Sequence, residues 1–98
     1  MSIQHTVVFR LVHDEGSPEA ERFLAHARTT LTAIPGVEGF AVQRQVSPKS
    51  DLTHQFAMNF ADEAAYQAYS EHPDHVAFVA DRWMPEVAVF QEYDFVRP

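Results

Sequence analysis

Residues 54–78 read HQFAMNFADEAAYQAYSEHPDHVAF, and the change of period inside this stretch decides the fold. His54, Phe56, Met58 and Phe60 alternate with Gln55, Ala57 and Asn59, the period-two signature of a strand with one apolar face. From Asp62 the pattern becomes helical. Asp62 can cap DEAAYQAYSEH, in which Tyr66 and Tyr69 stand one turn apart. Pro73 breaks that helix. Asp74 can cap a further helical stretch, HVAFVADRWM, with Val76, Val79 and Trp83 along one side and Pro85 at its end.

The same reading extends outward in both directions. VAVFQEYDFV, residues 87–96, is a final strand. Before the quoted stretch, VEGFAVQRQVS, residues 37–47, is a strand with Phe40, Val42 and Val46 on one face. Before that comes a helix. Ser17 suits its N-cap, Pro18 its first position, and Glu19 and Glu21 its first turn. Phe23, Leu24, Ala27, Leu31 and Ile34 form its apolar stripe, and Pro35 and Gly36 stop it. The opening strand is IQHTVVFRLVH, residues 3–13, with His5, Val7, Phe9 and Leu11 on one face.

The order strand, helix, strand, strand, helix, strand is the split βαβ, or ferredoxin-like, plan. It predicts an α+β fold: a four-stranded antiparallel sheet, helices on one face, and the first and third strands in the middle. Residues 1–98 read as a single domain. The face without helices offers Val8, Val12, Ala57, and Phe40 or its neighbours, so a second copy is expected to cover it in a twofold homodimer.

Composition narrows the partners. Hydrophobic residues make up 46% of the chain, with eight Phe, three Tyr and one Trp, and the net charge is −7. An acidic chain without a Lys/Arg cluster is poorly suited to nucleic acid or to anionic membrane surfaces. There is no cysteine, and no apolar run approaches the ~20 residues of a membrane span. The start, MSIQHTVVFRLVHDEG, lacks the basic region of a signal peptide, so a soluble cytoplasmic protein is expected. With three glycines and no G-x-S-x-G or P-loop, no nucleotide site is indicated. His72 and His75 have H-x-x-H spacing, but Pro73 disrupts it and no further Cys or carboxylate completes a zinc set. No metal and no cofactor are expected. His72 is expected at a helix C-terminus, and His13 and His26 on the surface.

Three stretches resemble the stress-responsive A/B barrel domain (Dabb) family: HTVVF at residues 5–9, IPGV at 34–37 and YSEHPDHVAFV at 69–79, with EYDF near the end. The resemblance spans essentially the whole chain and implies a ferredoxin-like fold and a homodimeric α/β barrel. Its best-understood kind is a plant polyketide cyclase, which closes a poly-β-keto thioester by aldol chemistry without metal or organic cofactor. There the family tyrosine and the second histidine of HP-x-H act together, and these positions are similar to Tyr69 and His75. Histidines entering the first and third strands line its cavity, at positions like His5 and His54.

On this reading His75 is a candidate general base and Tyr69 a hydrogen-bond donor to a developing enolate. His5 and His54 are candidate ligand-orienting residues, about 20 Å apart if the central strands overlap with an offset of six residues. Val7, Phe9, Phe23, Phe56, Phe78 and Trp83 are expected as apolar walls. The acidic surface argues against an acidic carrier-bound substrate. Three functions fit: a non-catalytic or stress-associated dimer binding a small apolar ligand, a cofactor-independent cyclase or lyase acting on a carbonyl compound, and a cofactor-free monooxygenase.

Overall fold

A computed structural model describes residues 1–98. The elements are β1 (Ile3–Leu11), α1 (Pro18–Thr32), β2 (Glu38–Arg44), β3 (His54–Phe60), α2 (Glu63–Glu71), α3 (Pro73–Phe78), a π-helical turn (Val79–Trp83), a last helical turn α4 (Met84–Glu86) and β4 (Val87–Phe95). The strands lie in the order β2-β3-β1-β4, all antiparallel, so the two apolar strands β1 and β3 take the centre. This is the ferredoxin-like βαββαβ fold.

Local chemistry accounts for the helix starts. Ser17 accepts a hydrogen bond from the backbone N–H of Ala20 (3.2 Å), with Pro18 at the first helical position. Asp62 does the same for Ala65 (2.8 Å). At α3 the cap differs from the expectation: His72, not Asp74, accepts from a backbone N–H, that of Asp74, through Nδ1 (3.1 Å). A residue before proline is driven toward extended backbone. His72 is extended (φ −61°, ψ 135°), so it closes α2 and opens α3 at once. The chain also runs helically through Pro85 rather than stopping there. Met84 N–H bonds Val79 C=O, five residues back, and Pro85 falls at the start of the next turn, where a missing N–H is tolerated.

The core lies between the helices and one face of the sheet. Phe9, Phe23 and Phe60 are fully buried, joined by Phe56 and Met58, and Phe9 meets Phe56, Trp83 and Phe23 edge-on at 4.6, 5.0 and 6.0 Å between ring centres. Full burial of each such side chain contributes roughly 1.5–3 kcal/mol. Phe40 joins this face, 5.5 Å from Phe56. Gly39, in left-handed backbone (φ 60°), takes up one extra residue in β2 between Glu38 and Ala41, and that bulge turns Phe40 toward the helices. Its neighbour Ala41, opposite Ala57, lies on the other face instead. Val46 falls beyond β2 and is exposed.

No helix covers that other face. Val8 is half-buried there, and Val89, Tyr93 and Phe95 are exposed, with the last two rings 6.1 Å apart. His13 is not a free surface residue: its Nε2 lies 2.8 Å from Glu86 Oε1, and Arg82 Nε donates to the same carboxylate (2.5 Å). Burial alone would raise the Glu86 pKa, but the hydrogen bonds from Arg82 and His13 outweigh it and hold the carboxyl below its ordinary value. No helix is long and apolar enough to cross a membrane.

Candidate functional site

A cavity of about 270 Å³ opens between the sheet and the α2–α3 corner. Its floor is His5 and Val7 from β1 with Phe56 and Met58 from β3. The helical side gives Tyr66, Tyr69, Ser70, His75, Phe78, Val79, Trp83 and Met84; Leu31 closes it on the α1 side, and Phe90 and Glu92 come from β4. The walls are mainly apolar, and the polar groups gather near the corner.

Pro73 makes that corner possible. Tyr69 lies in the last turn of α2 and His75 in the first turn of α3, and their rings meet at 4.5 Å between centres, tilted by 48°. His75 Nδ1–H donates to the carbonyl of Ser70 (2.9 Å). A carbonyl can only accept, so the proton belongs to Nδ1 and Nε2 carries the lone pair. Burial pulls the His75 pKa below that of an ordinary imidazole, and the nearby His5 adds to this; the Ser70 carbonyl and Glu92 oppose it. The Tyr69 side chain is 3% exposed, and its hydroxyl has no protein hydrogen-bond partner. Since no fully buried polar atom is left unpaired, that hydroxyl reaches the cavity. Burial, aided by the charge of Glu92, pushes its pKa well above the ordinary phenol value. It is therefore a donor near neutral pH.

A second polar group stands on the floor. His5 Nδ1–H donates to Asp94 Oδ1 (2.7 Å), and the Tyr66 hydroxyl donates to both oxygens of that carboxylate (2.9 and 3.1 Å). The Tyr66 oxygen is also 2.8 Å from His5 Nδ1. Burial and then the hydrogen bond to Asp94 push the Tyr66 pKa strongly upward. Asp94 is His5's cross-strand partner, so the register of β1 against β4 builds this pair. The sequence marks neither Glu92 nor Asp94 as a site residue, and Tyr66 only as a core aromatic. The one sign of Tyr66 was its place a turn before Tyr69, and Asp94 and Glu92 lay within or beside EYDF.

Of the residues expected at the site, Tyr69, His75, His5, Val7, Phe56, Phe78 and Trp83 line this cavity. Phe9, Phe23 and His54 do not. The two phenylalanines are fully buried behind the wall, each in contact with Phe56 and Trp83. His54 faces a separate depression beside Thr53 and His13, with Nδ1 2.9 Å from the Thr53 hydroxyl. Burial lowers its pKa. The pairing His5↔Met58 and Phe9↔His54 puts the two histidines four residues apart along the sheet, not six. That is about 13 Å, still too far to share one small group.

Residues 3–97 match the Stress responsive A/B Barrel Domain family, Dabb. No curated protein matches the chain. Among solved structures, a Dabb family protein with a ferredoxin-like fold from Mesorhizobium loti MAFF303099 is 55% identical, with TM-score 0.98 over 99% of this chain and 97% of that one. A dimeric ferredoxin-like protein of unknown function from Thermobifida fusca YX is 24% identical (TM-score 0.80; 99% and 92% covered). The hydroxynitrile lyase of Passiflora edulis is 13% identical (TM-score 0.84; 99% and 94% covered), a likeness of fold alone. By the family match and the M. loti relative together, the chain belongs to the Dabb family of stress-responsive A/B barrel domains.

Proposed function

We propose that the cavity is the active site of a cofactor-independent enzyme that moves a proton next to a carbonyl group. One observation carries this reading: the free Nε2 of His75 and the unpartnered hydroxyl of Tyr69 serve one apolar cavity from adjoining rings. His75 Nε2 takes a proton from the carbon beside the carbonyl. The C–H electron pair becomes the enolate double bond, and the oxygen gains the negative charge. Tyr69 O–H donates to that oxygen as the charge develops. The enolate carbon then adds to a second carbonyl, and the imidazolium returns its proton to the new alkoxide. Run in reverse, the same steps cleave a carbon–carbon bond. Cyclase and lyase chemistry therefore share one machinery, and the balance of atoms needs no other reactant.

A lowered His75 pKa suits the base, which is active only when neutral, and extends its activity below the ordinary imidazole range. The Passiflora lyase is a precedent for lyase chemistry on this scaffold, although a fold by itself carries no activity.

The test is deuterium exchange beside the carbonyl in a panel of small uncharged ketones and aldehydes, followed by NMR in D₂O. Tyr69→Phe and His75→Ser should each lower the rate about 10²–10⁴-fold while circular dichroism stays unchanged. If the wild-type protein binds such compounds and exchanges none, the cavity is a binding site without chemistry; if both variants keep the full rate, Tyr69 and His75 are not the groups that move the proton.

A further inference from the structure

Glu92 has no part in the proton transfer, yet it lines the cavity. It lies on β4 opposite Val7 and is exposed at the cavity's open side. Its charge reaches Tyr66, Tyr69 and His75. Asp94 stands two residues further along the same strand face, with half its side chain exposed. No lysine or arginine lines the cavity. An anion entering it meets a carboxylate, imidazole and phenol groups, and apolar walls. The Tyr69 hydroxyl can donate one hydrogen bond, but no lysine or arginine is there to compensate the lost hydration of a carboxylate or phosphate. A hydrogen-bond donor on a neutral molecule, by contrast, finds an acceptor in Glu92.

We propose that Glu92 sets the substrate class: the cavity takes uncharged carbonyl compounds with a hydrogen-bond donor remote from the carbonyl, and excludes carboxylates and phosphorylated acyl carriers. This rests on the reading of the cavity as a carbonyl site, but it concerns binding and not turnover. The chain's net charge of −7 works in the same direction over longer range.

Two probes of matched shape test it. 4-Acetylbenzamide is neutral and can donate to Glu92, whereas 4-acetylbenzoate is an anion. Affinities are read from NMR shifts of the cavity residues, for the wild-type protein and for Glu92→Gln, at low and high salt. Repulsion between unit charges a few ångströms apart at a partly exposed site predicts about a tenfold preference for the amide. In Glu92→Gln the preference should fall to about threefold or less, and in the wild type it should shrink as salt rises. Equal affinities in the wild type, a gap that Glu92→Gln leaves unchanged, or no binding of either probe at millimolar concentration overturns the proposal. Charge selection that persists beside unaltered exchange rates in Tyr69→Phe and His75→Ser would leave it standing and remove only the assignment of proton transfer to those two groups.

Discussion

His5, Tyr66 and Asp94 form a small closed network, and its members differ in how they could be foreseen. His5 carries its sign in the first strand, where a histidine on an apolar face needs a partner. Tyr66 reads as a core aromatic, and half of that reading holds: its ring stacks on Phe60 at 4.9 Å while its hydroxyl turns to Asp94. Removing only the hydroxyl separates the two roles. Tyr66→Phe should lower stability by roughly 0.5–1 kcal/mol in urea unfolding, since Asp94 keeps its bond to His5 and is itself half-exposed. It should also loosen the ring of His5, seen as a change in that histidine's NMR signals. Asp94 was illegible for a different reason. Nothing in EYDF tells whether its two carboxylates or its two aromatic rings face inward until the register of β4 against β1 is known, and a slip of one residue would exchange the two faces.

At the scale of elements, nearly everything with a strong period was legible. The alternation of residues 54–60, the capped apolar stripe of α1 and the order of the strands all lead to the observed topology. Three details were not. His72 caps α3 because Pro73 disfavours helical backbone in the residue before it and His72 is extended, which puts a ring nitrogen where a carboxylate was expected. Gly39 hides a bulge that decides which way Phe40 points, and a glycine in a strand signals such a kink without giving its direction. The π-helical turn left only Pro85 as its trace. Proline has no N–H for the carbonyl four residues back, and the bonding pattern shifts just before it. That turn carries Val79 and Trp83, with Met84 next to it, all three on the cavity wall. An irregular turn at a site wall is where π-helical geometry often occurs.

The whole molecule leaves one side of its sheet without helices, and two proteins that share its fold are described as dimeric. We expect a homodimer formed through that face, in which Tyr93 and Phe95 are covered. β4 links the two sides: Tyr93 and Phe95 point to the open face while Phe90 and Glu92 border the cavity. Light scattering should give twice the chain mass at micromolar concentration, and Tyr93→Glu should shift it to the monomer with its secondary structure intact. A wild-type monomer under those conditions would contradict the dimer. Sequence could point to this face, because both sides of β1 are apolar, but not to the cavity behind the other one. A cavity is a shortfall of packing among large side chains, and the count of Phe and Trp residues does not reveal where they fail to meet.

The central claim is that His75 is a desolvated, neutral base with its Nε2 lone pair in the cavity. A long-range ¹H–¹⁵N NMR titration of His75 tests it most directly, because one experiment reads both the tautomer and the titration midpoint. The account predicts a proton on Nδ1, held by the Ser70 carbonyl, and a midpoint below the ordinary value of 6.5, since burial disfavours the charged ring. A proton on Nε2 with a midpoint at or above 6.5 would contradict it.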